Sequence, residues 1–93
     1  MADKLPRKVT LTSAFKRDIK KQYLTLASVE WAEVLQCLAN DQPLPPKYLD
    51  HALKGDMVAF RECHVKPDLL LVYKIGDNGV LELYRLASHS ELF

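Results

Sequence analysis

Five residues in the second half of the chain are of the types that move protons or hold phosphate: His51, His64, Asp68, Arg85 and His89. Histidine titrates near neutral pH and can give or accept a proton, while guanidinium matches phosphate oxygens in bidentate fashion. Together they suit acid–base chemistry on a phosphate ester. Cleavage of RNA needs no external nucleophile, because the 2′-hydroxyl attacks its own phosphate once a base removes its proton, and no metal is then required. Two blander assignments compete. A histidine on a strand commonly serves as a satisfied structural residue, and a His/Asp set can hold zinc, although a close ligand pair such as H-x-x-x-H is missing from the sequence.

For these residues to act together the fold must gather them. Val9-Thr10-Leu11 reads as a short first strand, with Thr12-Ser13 behind it as a helix cap. Phe15, Ile19, Tyr23 and Leu26 recur at helical spacing as the buried stripe, and Lys16, Arg17, Lys20 and Lys21 fill the other faces. Ser28 caps a second helix whose Trp31, Val34, Leu35 and Leu38 repeat at i, i+3, i+4 and i+7, before Asn40-Asp41 and Pro43 stop it. Residues 42–57 carry Pro43, Pro45, Pro46 and Gly55 without a period and read as an extended connection. Three strands follow, Val58–Val65, Leu69–Ile75 and Val80–Ala87, joined by Lys66-Pro67 and by the hairpin signal Gly76-Asp77-Asn78-Gly79. The expected fold is α+β, in the order β-α-α-β-β-β. Two N-terminal helices pack on one face of a mainly antiparallel four-stranded sheet.

An antiparallel meander brings the end of one strand, the start of the next and the end of the third to one edge. That edge receives His64, Asp68 and the segment from Arg85 to His89. The expected register sets Ile75 opposite Val80, Asp68 across from Ala87 and His64 across from Leu69. Strand spacing then holds these groups within about 10 Å. Alternation assigns Cys63, Val65, Leu70, Val72, Leu81 and Leu83 to the helix-covered face, and Phe60, Glu62, His64, Tyr73, Glu82 and Tyr84 to the open one. Arg85 falls with the core face unless a bulge intervenes or it snorkels at the rim.

Length and composition bound the alternatives. The 93 residues make one domain, 1–93, with a modest core and no room for a deep cofactor cleft; no cofactor and no metal are expected. No stretch matches a membrane span, and the first residues lack the apolar run of a secretory signal, so a cytoplasmic protein is expected. Cys37 and Cys63 are far apart, in no metal-type spacing, and read as reduced thiols. Net charge is +1, yet residues 1–24 hold seven basic side chains against Asp3 and Asp18, and the remainder six against ten acidic ones. Such a cationic stretch is either a solvated face or a surface for nucleic acid or an acidic protein segment.

Three stretches match a known pattern: Asp50-His51-Ala52-Leu53-Lys54-Gly55, Phe60 to Tyr73 with Phe60-Arg61, His64 and Pro67-Asp68, and Arg85 to Phe93 with Arg85, His89 and Leu92-Phe93. In this order and spacing, D-H-x-L-x-G, F-R-x-x-H-x-x-P-D and R-x-x-x-H-x-x-L-F, they resemble the YafQ branch of the RelE/ParE superfamily of bacterial toxins. The likeness covers nearly the whole chain and is strongest from Tyr48 onward. It implies an mRNA interferase of a type II toxin–antitoxin pair, acting on messenger RNA, commonly at the ribosome, and silenced by a cognate antitoxin. It also implies that His51, His64, Asp68 and His89 supply acid–base and orienting groups. Arg85 is then the phosphate-binding cation and Phe93 the base-stacking aromatic, with Lys54 and Arg61 as further RNA contacts. Leu69 and Met57 stand where the family often has aromatics, a departure that bears on nucleotide stacking more than on chemistry.

The mechanism so implied has one of His89, Asp68 and His64 removing the 2′-hydroxyl proton, a second group protonating the departing 5′-oxygen, and Arg85 stabilising the phosphoryl charge. The competing reading is a non-catalytic binding module of the same fold, like the ParE toxins that act on gyrase. Three histidines and Asp68 at the matching positions argue against it.

Overall fold

The computed structural model describes residues 5–93; Asp3 and Lys4 of the cationic stretch lie outside the described residues. The chain runs β1 (Val9–Leu11), α1 (Ser13–Lys21), α2 (Val29–Ala39), β2 (His51–Ala52), β3 (Arg61–Lys66), β4 (Leu69–Ile75), β5 (Leu81–Ala87) and α3 (His89–Leu92). The strands form one sheet in the order β1-β5-β4-β3-β2, with β1 parallel to β5 and the other pairs antiparallel. The sheet thus has five strands rather than the expected four. The connection from 42 to 57 contributes β2 and two single helical turns, Pro46–Tyr48 and Gly55–Met57. No helix among the described residues is long and apolar enough to cross a membrane.

Local signals set most boundaries. The Thr12 hydroxyl accepts from the Phe15 N–H at 3.0 Å and opens α1; Ser28 accepts from Trp31 at 3.2 Å and opens α2. Gly79 adopts φ +82° in the turn before β5, a conformation that costs glycine little. Helix α1 stops at Lys21, so Tyr23 and Leu26 of the expected stripe fall outside it and are exposed, and Asp18 is buried instead.

Phe15, Trp31, Val34 and Leu38 pack with Cys63, Val65, Leu69, Leu71, Tyr73, Leu81, Leu83 and Leu86 as the core between the helices and one face of the sheet. The expected faces of β4 are therefore reversed: Tyr73 belongs to the core, and Leu70 and Val72 lie on the other side. The register accounts for this. Ile75 pairs with Leu81, His64 with Leu70, and Leu70 with Ala87, each displaced from the expected pairing. A one-residue slip exchanges the two faces of a strand. On β5 a bulge leaves Tyr84 unpaired between Leu83 and Arg85, which restores Leu86 to the core and turns Arg85 away from it.

Candidate active site

Two cross-strand rows occupy the sheet face away from α1 and α2. His51, Glu62, Val72 and Arg85 lie side by side on β2, β3, β4 and β5, and His64, Leu70 and Ala87 form the next row. Directly paired residues share a face, and strands about 4.8 Å apart place His64 roughly 10 Å from Ala87. Asp68, in the β3–β4 turn, accepts from the backbone N–H of His89 at 3.2 Å. The Ser88–Glu91 capping box holds α3, with the Ser88 N–H donating to Glu91 Oε1 at 2.9 Å. Those hydrogen bonds from Ser88 keep the Glu91 carboxyl below its ordinary range. Inside this turn the His89 ring lies 5.3 Å from that of Phe93.

Arg85 is fixed from α1. Its Nε and Nη2 donate to the two oxygens of Asp18 at 2.8 and 3.2 Å, and Asp18 also accepts from the Leu86 N–H at 2.9 Å. Because β1 ends at Leu11, the rest of the β5 edge has no neighbouring strand among the described residues. Asp18 meets the Leu86 N–H there, and the Thr12 hydroxyl donates to the Tyr84 carbonyl at 2.8 Å. Hydrogen bonding to Asp18 raises the Arg85 guanidinium further above its usual value, against the opposing effect of partial burial. It stays fully charged.

His51 is positioned by a strained corner. Leu49 adopts φ +51°, a left-handed conformation that costs a non-glycine residue roughly 1–2 kcal/mol. Its carbonyl accepts from His51 Nδ1 at 2.7 Å. Asp50 turns to the helix side, where Oδ2 accepts from Arg61 Nε and Nη2 at 3.2 and 2.8 Å and Oδ1 accepts from the Tyr73 hydroxyl at 2.5 Å. Burial, reinforced by Asp50, pushes the Tyr73 phenol well above its usual value. Arg61, expected as an RNA contact, shares the helix-side face with Tyr73 and Cys63, where it pairs with Asp50 and keeps 43% of its side chain exposed. It does not join His51 and His64.

A cleft of about 290 Å³ opens beside Arg85, lined by Leu53, Met57, Val72, Tyr84, Leu92 and Phe93, with Thr12 and Ala14 at its rim. Lys54 is exposed in the loop that carries Leu53 and Met57 to this cleft. His64 borders a second groove, of about 560 Å³, shared with Tyr48, Leu49, Lys47 and Lys66. Among the described residues no group of three or more His, Cys, Asp or Glu side chains is placed to hold a metal ion.

Residues 7–93 match the family model for the bacterial toxin of type II toxin–antitoxin systems, YafQ. The chain belongs to the YafQ toxin family. It is 30% identical over 92 residues to the mRNA interferase toxin YafQ of Escherichia coli K12, covering 96% of this chain and 98% of that one. The crystal structure of a metal-bound toxin from Helicobacter pylori superposes with TM-score 0.82 at 46% identity, over 94% of this chain and 99% of that one. The toxin of the E. coli DinJ–YafQ complex superposes with TM-score 0.80 at 30% identity, over 94% and 98%. The α+β fold, with N-terminal helices against a mixed sheet, is that of YafQ toxins.

Within this YafQ chain the structure brings His51, His64, Asp68, Arg85, His89 and Phe93 to one side of the sheet. It adds two residues that sequence reading missed. Asp18 sits in a run of charged residues that looks like a solvated helix face, and Glu62, between Arg61 and Cys63, falls by alternation on the open face with His64. Both are buried, at 6% and 3% exposure. The signal available for Asp18 was its place one residue before Ile19, on the flank of the apolar stripe.

Proposed function

We propose that this toxin cleaves messenger RNA by attack of a 2′-hydroxyl on its adjacent phosphate, without a metal, at the ribosome in the cytoplasm, and is silenced by a cognate antitoxin. The observation that carries this reading is the convergence of three imidazoles, Asp68 and the Asp18-held Arg85 around one open face, beside a cleft of about 290 Å³. The phosphate meets Arg85, whose Nη1 is left over from the pairing with Asp18. Nucleobase stacking falls to Phe93, 69% exposed at the mouth of the cleft, and Lys54 contacts the RNA backbone. One group of the set takes the 2′-hydroxyl proton and another returns a proton to the 5′-oxygen as the P–O5′ bond breaks. The products are a 2′,3′-cyclic phosphate and a 5′-hydroxyl.

The YafQ of E. coli supports this reading by name: it is an mRNA interferase toxin, and it was crystallised in complex with DinJ. The test is incubation of purified protein with an mRNA, with and without ribosomes, in chelator, for the native chain and His89→Ala. Cleavage in chelator by the native chain alone is expected; equal cleavage by both proteins refutes the assignment.

A further inference from the structure

Glu62 is 3% exposed and lies beneath His51 in the cross-strand row. Its Oε1 is 3.5 Å from His51 Nε2, and its Oε2 is buried without a hydrogen-bond partner among the described residues. A buried carboxylate with an unmet oxygen destabilises the fold and calls for a reason. The helix-side ion pairs do not supply one, since Arg61 is taken up by Asp50 on the opposite face. The polar group that Glu62 faces is the imidazole of His51.

His51 has a defined proton arrangement. The Leu49 carbonyl can only accept, so Nδ1 carries the hydrogen in the bond at 2.7 Å, and in the neutral ring Nε2 carries the lone pair. Nε2 is the atom that faces Glu62. At 3.5 Å the carboxylate is too far to occupy Nε2 in a tight hydrogen bond, yet near enough to attract a positive charge placed there. The imidazole side chain is half exposed, so the ring is open to solvent over part of its surface.

We propose that His51 Nε2 accepts the 2′-hydroxyl proton and that Glu62 is a positioning residue, stabilising the imidazolium this creates. The inference rests on the endoribonuclease reading above and deepens it. The proton passes from the 2′-oxygen to Nε2, the 2′-oxygen forms its bond to phosphorus, and the P–O5′ bond breaks. The 5′-oxygen then takes a proton from the Asp68–His89 end of the site. Nδ1–H on Leu49 and the Glu62 charge act on the same ring from two sides, one fixing its tautomer and the other its charged product. The unmet Oε2 is the structural cost of keeping that charge under the ring.

The experiment measures single-turnover cleavage of an mRNA with ribosomes by the native chain, Glu62→Gln, Glu62→Asp, His51→Ala and the double variant. Glu62→Gln keeps the shape and removes the charge. It is expected to lower kcat about 10- to 100-fold, less than the ~100- to 10,000-fold of a proton-transfer group itself, with KM within about twofold. Its melting temperature is expected to be unchanged or higher, because a buried charge is gone. Glu62→Asp, which retains the charge, recovers part of the loss. In the His51→Ala background Glu62→Gln adds less than about twofold, the non-additivity of two groups acting as one. Native-level kcat in Glu62→Gln, a loss that tracks unfolding, or full additivity with His51→Ala overturns the role of Glu62 while leaving the nuclease reading intact. Absence of cleavage by the native chain overturns both.

Discussion

Replacing Asp18 is the most informative perturbation of the frame that holds Arg85. In Asp18→Ala the Leu86 N–H, which Asp18 meets at 2.9 Å, is left buried and unpartnered. That costs roughly 1–3 kcal/mol. The bidentate pair with Arg85 is lost as well, but the arginine side chain is 37% exposed and water replaces part of the interaction, so this adds about 1 kcal/mol. The expected total is about 2–4 kcal/mol, or a fall in melting temperature of roughly 10–25 °C for a domain of this size. Asp18→Asn still offers an acceptor to Leu86 and is expected to lose about half as much. Thermal unfolding followed by circular dichroism gives both values, and cleavage measured well below either midpoint reports on Arg85. With the guanidinium unanchored, kcat is expected to fall in both variants even where they are fully folded. An Asp18→Ala protein that melts within about 3 °C of the native chain refutes the claim that this carboxylate completes the strand edge.

Three further outcomes are expected. Phe93→Ala lowers kcat/KM by roughly 5- to 150-fold, equivalent to the ~1–3 kcal/mol of one stacked base, and Phe93→Trp retains most of the native value in the same cleavage assay. Ser88→Ala removes the cap of α3 at a local cost of about 1 kcal/mol, visible as faster hydrogen exchange at the Leu92 and Phe93 amides, which bond to the Ser88 and His89 carbonyls. Tyr48 is buried and bonded to Glu33, and burial first, then that carboxylate, push its phenol up to about 12. A phenol raised above its unfolded value of ~10 contributes stability fully present below that pH and lost as pH rises through the folded value. Urea midpoints are therefore expected to decline between about pH 10 and 12, and Tyr48→Phe to flatten that decline.

What the sequence discloses is what neighbouring residues decide among themselves. Thr12 and Ser28 start helices where their hydroxyls reach the next amides; Leu69–Ile75 is recovered end to end because turn residues bound it on both sides. The candidate site residues were legible as types at motif spacing, and the meander gathers His64, Asp68, Arg85 and His89 whatever the fine register, whereas His51 arrives on β2. The faces of β4 were not legible, because four consecutive apolar residues from Leu69 to Val72 give alternation nothing to grip, and a bulge at Tyr84 resets the parity of β5 alone. Strand β2 was hidden for another reason. It exists where Asp50 binds Arg61 and Tyr73, partners 11 and 23 residues away that no local pattern announces. The same holds for the partner of Arg61: within its motif the residue reads as an RNA contact, and only the folded chain reveals its pairing with Asp50 on the helix side.

The position of β5 has a consequence for how the toxin comes into being. The strand made last in the chain is not added at a border; it slots between β1 and β4, and bonds such as Thr12 to Tyr84 span 72 residues. Sheets closed by such distant pairings assemble slowly, because the entropy of loop closure is spent before the contacts form. A nascent chain still lacking β5 therefore has neither a finished sheet nor an anchored arginine, and the candidate site is complete only after translation has delivered that strand.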